Sequence, residues 1–204
     1  MKLFTFQMLT LALDKLSLKR NHKKQEVTIL SASDAHVHLA IRSHIALIEP
    51  VVAYLHNRMA QFCHAHHLQP VNLDLCLQEA LANAIVHGNL AIPSALKEES
   101  WEQFEALVRE REALPEFVDR QVTIRCQLSP QRMTIEVEDQ GAGFEMQDSL
   151  ALELASLPTL DDHEAIKTLS RSGRGLVFIK AFMDQVFWNN TGNCITMIKN
   201  FSTA

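Results

Sequence analysis

Long hydrophobic runs, closely paired cysteines and a strong excess of either charge are all missing from this chain of 204 residues. Cys63, Cys76, Cys126 and Cys194 form no C-x-x-C pair, so free thiols in a reducing compartment are expected and a disulfide framework is not. A net charge of -5 gives no general pull toward nucleic acid. The basic run over 15–24 is the exception and reads as a solvated arm. The apolar stretch over 3–13 is too short to span a bilayer, and it ends in Asp14-Lys15 rather than a small-residue cleavage site. An amphipathic helix or extra strand, docked on the domain or on a second subunit, is expected there. No transmembrane segment, internal repeat or low-complexity block occurs elsewhere, and a cytoplasmic location is expected. His64, His66 and His67 lie beside Cys63, and His36 beside His38, but neither spacing matches a standard structural zinc site.

What is present is ordinary for a soluble domain: 47% hydrophobic and 21% charged residues, in a length suited to one medium domain. A weakly alternating strand is expected over 26–30. Apolar residues then recur at helical spacing over 41–67 (Ile45, Ile48, Val52, Leu55, Met59, Phe62), with Pro50 placed to kink or divide that helix. A second helix is expected over 73–87, closed by Gly88-Asn89. The charged segment over 90–120 reads as an insert carrying a helix, with Trp101, Phe104 and Leu107 on one side and Pro93 and Pro115 as bounds. Alternation over 121–128 and 132–137 predicts a hairpin around Ser129-Pro130-Gln131. A helix over 175–183 and a hairpin of 185–188 with 194–199 follow the weakly patterned segment 145–172. Helices followed by antiparallel strand pairs predict an α+β fold: a two-layer α/β sandwich with a mixed, mainly antiparallel sheet and helices on one face.

Three places carry chemistry. On the second helix Glu79, Asn83 and His87 are spaced i, i+4, i+8 and share one stripe, while Leu73, Leu77, Leu81, Ala84 and Ile85 form the core face. Taken singly, such a stripe reads equally as polar side chains one helical turn apart that face solvent and interact with one another. Directly after a strand comes Asp139-Gln-Gly141-Ala-Gly143-Phe144, whose glycines let the backbone approach a ligand closely. Its carboxylate is suited to accept from an exocyclic amine such as that of adenine; a turn in which the Asp binds its own backbone is the other reading. Third, Gly173-Arg174-Gly175-Leu176 stands at the expected start of a helix, where free N–H groups and the helix dipole favour phosphate, although such a loop is also a common plain connection.

In this order, E-x-x-x-N-A-x-x-H-G, D-x-G-x-G-F and G-x-G-L resemble the N, G1 and G2 boxes of the GHKL ATPases, the superfamily of gyrase B, Hsp90, MutL, histidine kinases and anti-sigma serine kinases. The resemblance implies a Bergerat-type ATP-binding domain over 26–200 with ATP and Mg²⁺ as cofactors and 145–172 as the ATP lid. It also implies Glu79 as general base, Asn83 as the Mg²⁺ ligand, and His87 in the nucleotide site. Asp139 would read adenine with Thr196 in support, and Gly141, Gly143, Phe144, Gly173, Arg174, Gly175 and Leu176 would shape the pocket. A transducer domain such as those of gyrase, Hsp90 and MutL has no room here. His44 lies too close to Glu79 for a sensor kinase's dimerisation hairpin to fit between them, so it reads as structural. The HGN end of the first box and Leu-Val-Phe-Ile-Lys-Ala-Phe-Met-Asp-Gln-Val-Phe-Trp over 176–188 are similar to the anti-sigma factor serine-protein kinases. That family implies phosphorylation of a serine on a STAS-domain, anti-anti-sigma-like partner, a sigma factor or another effector as the controlled target, and a homodimer. The insert over 90–120 departs from compact members. The competing reading is a nucleotide-dependent module that sequesters a partner without kinase activity.

Overall fold

The structure is a computed structural model that describes residues 26–94, 96, 100–143 and 171–201. The expected arm over 1–25, Phe144, and the lid segment up to residue 170 lie outside the described residues. Strands β1 (Val27–Ala32), β2 (His36–Arg42), β3 (Gln121–Ser129), β4 (Arg132–Glu138), β5 (Gln185–Trp188) and β6 (Cys194–Asn200) form one open sheet in the order β1-β2-β3-β4-β6-β5. Every described pairing is antiparallel. The helices are α1 (Ile48–Ala65), α2 (Pro70–Ala82), α3 (Trp101–Ala113) and α4 (Arg171–Phe182), and α2 runs on as a π-helix over Asn83–Asn89. Among the described residues no helix is long and apolar enough to cross a membrane.

Period-2 alternation explains why the helices gather on one face. Val122, Ile124 and Cys126 of β3 and Met133, Ile135 and Val137 of β4 are buried, while Thr123, Arg125, Thr134 and Glu136 between them are only partly covered. Against the buried set pack Leu55, Met59, Leu73, Leu77, Leu81 and Ile85 from α1 and α2. Truncating one such leucine to alanine removes about 2–5 kcal/mol.

Two features differ from the sequence expectation. Residues 36–42 form β2, paired with both β1 and β3, although the helical pattern was expected to begin at Ile41. The helix itself starts at Ile48 behind a 3-10 turn (Ile45–Leu47), so Pro50 occupies its first turn, where an N–H has no intrahelical partner in any case, and it neither kinks nor divides α1.

The segment after the π-helix is built into the core. Phe104, Val108 and Phe117 are buried with the main cluster. Arg111 donates to the carbonyls of Leu90 (2.6 Å) and Ala91 (2.7 Å), and Arg42 pairs with Asp119 at 2.6 Å. Glu112 accepts from the Ile45 N–H at 2.8 Å and faces His44 Nδ1 at 3.4 Å, which gives His44 a structural partner. The Glu112 hydrogen bond raises the His44 pKa. Burial pushes Glu112 up, but His44 and the Ile45 N–H outweigh it and its pKa falls. A raised histidine stabilises the fold below its ordinary pKa and ceases to do so as pH rises through the folded value; a depressed glutamate stabilises above its ordinary pKa and ceases as pH falls. Glu112→Ala is therefore expected to cost about 1–2 kcal/mol in urea unfolding, most at about pH 5–6, with a smaller difference on either side.

Candidate functional site

The three motif stretches meet at two points, both marked by glycines. A side chain on Gly88 would collide with the carboxylate of Asp139, and one on Gly141 with the backbone carbonyl of Gly88. The end of the first box and the turn after β4 are thus in direct contact. A side chain on Gly175 would collide with the carboxylate of Glu79, which joins α4 to the middle of α2. Gly143 has φ +68, and a Cβ there would meet the Thr191 carbonyl, so its backbone conformation also calls for glycine.

Glu79 and Asn83 are half-buried, four residues apart and therefore about 6 Å along the axis of one helix. Asn83 begins the π-helical run, in which Leu90 N–H bonds back to Ile85 at 2.8 Å, a five-residue step. π-Helical turns of this kind are frequent at functional sites. The wider turn also breaks the i, i+4, i+8 stripe. His87 donates through Nδ1 to the Ile92 carbonyl at 2.6 Å, so that nitrogen is committed to the protein backbone.

Asp139 is 9% exposed at the end of β4. Its Oδ1 accepts from the Gly141 N–H at 2.8 Å, closing the Asx turn over which the sequence left two readings open. Burial raises its pKa, opposed by the Gly141 N–H; Glu138 adds to the rise and Arg120 subtracts, and the outcome is about 6. Folding thus retains a proton that the unfolded chain, with a carboxylate pKa of about 3.9, has already released. The empty protein is expected to lose stability as pH rises through the window from about 4 to about 6 and to stay at the lower level above it. Urea midpoints of wild type and Asp139→Asn measured across that window test this: the variant gains relative to wild type as pH rises, and the gain vanishes near pH 4.

Two placements differ from expectation. Helix α4 begins at Arg171, so Gly173 and Arg174 fall in its first turn and Gly175 in the turn after; packing against Glu79 outweighs the modest helix penalty of glycine there, about 1 kcal/mol. Leu176 packs against the main core. Thr196 stands opposite Glu136 across β4 and β6, whereas Ile195 stands opposite the buried Val137. Alternation puts Thr196 on the sheet face away from the helices, while the Asp139 carboxyl lies against Gly88 on the helix side; the structure does not bring the two together.

Sequence reading missed the residues that hold Asp139. Asn89, read as a helix closure and as the end of the HGN stretch, is fully buried; it donates through Nδ2 to Ser43 Oγ at 2.7 Å and accepts from the Gln140 N–H at 2.6 Å. Arg120 donates to the Asn89 carbonyl at 2.8 Å. Asn193, in the β5–β6 turn, bonds the Asp139 carbonyl at 2.8 Å. These are contacts between distant segments, and no local pattern announces them. Among the described residues no three His, Cys, Asp or Glu side chains gather as a metal site; His66 stacks on Phe201 at 4.1 Å.

A six-stranded antiparallel sheet with helices on one face, a buried carboxylate held where Gly88 and Gly141 meet, and a second acid packed against Gly175 define a nucleotide-binding α/β sandwich of the GHKL class. A family model described as histidine kinase-like ATPase domain matches residues 41–199, well over half of the chain, and the chain belongs to that family. It is an ATP-binding domain of that kind. A search of curated proteins finds no significant match.

Proposed function

We propose that this domain transfers the γ-phosphoryl group of ATP to a serine hydroxyl on a partner protein of STAS fold, and so works as an anti-sigma-type switch on a sigma factor or another effector. The observation that supports this reading most is the contact of Gly175 with Glu79 beside the contact of Gly88 with Asp139. Together they bring Glu79, on the same helix as Asn83, against α4 and Asp139 against the end of that helix.

In this reading Asp139 accepts from the adenine amino group through the oxygen that Gly141 leaves available. Glu79 accepts the proton of the incoming serine hydroxyl. The oxygen of Asn83 suits Mg²⁺, a hard cation that takes most of its remaining ligands from water and phosphate. The donor set fits: a half-buried carboxamide one helical turn from a half-buried carboxylate. Mg²⁺ bound there would neutralise charge on the phosphates. The first turn of α4, which includes Gly173, has backbone N–H groups without intrahelical partners that suit phosphate. The homodimer, the cytoplasmic setting and the role of 145–172 as a lid belong to the same proposal. Phosphorylation would add about -1.5 to -2 charges to the partner's surface and so change what it binds.

The test is incubation with labelled ATP, Mg²⁺ and the STAS-domain protein encoded nearest to this gene. Label is expected on a partner serine, and none with Asn83→Ala. Partner control that survives in Glu79→Ala without any transfer of label would instead support a nucleotide-dependent sequestration module.

A further inference from the structure

We infer that Asn89 and Asn193 form a carboxamide clamp that sets adenine selectivity by fixing the peptide plane between Asp139 and Gln140. Asn193 Nδ2 donates to the carbonyl edge of that plane at 2.8 Å, and Asn89 Oδ1 accepts from its N–H edge at 2.6 Å. The Asp139 N–H donates to the Asn193 carbonyl at 2.9 Å, so the backbone is held on both sides of the acidic residue. Each clamp residue is itself braced. The Asn89 carboxamide is oriented by its bond to Ser43 Oγ, which in turn donates to the Arg120 carbonyl at 3.0 Å, and Arg120 returns to the Asn89 carbonyl. Asn193 Oδ1 accepts from Asn189 Nδ2 at 2.8 Å and from Thr191 Oγ1 at 2.7 Å.

The geometry matters for selectivity because a peptide plane fixed at both edges also fixes the direction of the Asp139 side chain. Adenine offers an amino group where guanine offers a carbonyl. A carboxylate held still at that point attracts the first and repels the second; a carboxylate free to swing away loses both effects. Asn89 and Asn193 touch no substrate in this account and are positioning residues. The inference rests on the reading that Asp139 meets the adenine amino group.

The experiment is titration calorimetry of the full chain with ADP and with GDP in the presence of Mg²⁺, on wild type, Asn89→Ala, Asn193→Ala and Ser43→Ala. Loss of one clamp bond is expected to weaken ADP by about tenfold. GDP is expected to hold constant or tighten, so the ADP-over-GDP ratio collapses. Ser43→Ala keeps both clamp residues and only frees the Asn89 carboxamide to rotate; about a threefold drop in the ratio is expected. It supplies the answer should Asn89→Ala fail to fold. Hydrogen exchange at the Gln140 amide reports the clamp directly and is expected to accelerate in Asn89→Ala. A general structural role would weaken both nucleotides alike. Wild type that prefers ADP, with variants that keep its ratio, overturns the clamp alone. Wild type with no preference for ADP removes the adenine reading and the clamp's role with it.

Discussion

Asp139→Asn is expected to weaken ADP binding by about two orders of magnitude, although the substitution changes one atom and leaves the turn after β4 intact. The wild-type carboxylate divides its oxygens: Oδ1 accepts from Gly141 N–H at 2.8 Å, and the other is left for the base. An asparagine that keeps the Gly141 bond must turn its NH₂ toward the adenine amino group, so donor faces donor. A hydrogen bond to a charged acceptor is worth about 1.5–3 kcal/mol, and a buried donor left without a partner adds to the loss, which together reach about a hundredfold. The opposite rotamer keeps adenine but sets NH₂ against the Gly141 N–H, so that donor again faces donor. Neither arrangement escapes. With a pKa of about 6, the ionised form that accepts best is also lost in wild type on acidification, so ADP affinity is expected to fall below about pH 6. Calorimetry at pH 8 and pH 5 measures both effects. Equal affinity of wild type and Asp139→Asn at pH 8 would remove Asp139 from the binding site.

The sheet was legible where alternation is clean. Val122-Thr-Ile-Arg-Cys126 and Met133-Thr-Ile-Glu-Val137 place apolar residues on one face without exception, and both became strands with that face buried. Strand β2 was not, because His36-Val-His-Leu-Ala-Ile41 ends in three adjacent apolar residues that merge with the helical pattern of α1. Only pairing with β1 and β3 settles the assignment. Of the motif residues, Gly88, Gly141 and Gly175 are points of contact between segments, against Asp139, Gly88 and Glu79. Motif resemblance carries residue type but not side-chain direction. His87 departs because a π-turn lies between it and Asn83, and Thr196 because one step along a strand reverses the face. Asn89 and Asn193 could not be anticipated: each acts on a backbone group fifty or more positions away, and a buried asparagine has the same local sequence signature as an exposed one.

Glu79→Gln separates binding from chemistry. Glutamine matches the glutamate in shape and keeps an oxygen and a nitrogen where Gly175 packs, so α2 and α4 keep their contact. What it cannot do is take a proton. A positioned general base contributes about 10²–10⁴ in rate, so phosphoryl transfer to the partner serine is expected to fall by about that factor while ADP affinity stays within about twofold. Gly175→Ala approaches the same acid from the other side. Its new methyl group lands on the Glu79 carboxylate, and because that group is the end of a flexible side chain, the acid shifts rather than the helices. The proton acceptor is then present but misplaced, and a displacement of about 1 Å is enough to cost about a hundredfold in rate. Single-turnover transfer of labelled phosphate by the two variants measures the two losses on one scale. Combining them discriminates further: if both act through the same carboxylate, the double variant is expected to be no slower than Glu79→Gln alone. Losses that multiply would mean that Gly175 serves the reaction through something other than Glu79, and transfer at the wild-type rate in Glu79→Gln would strip the acid of its role as base.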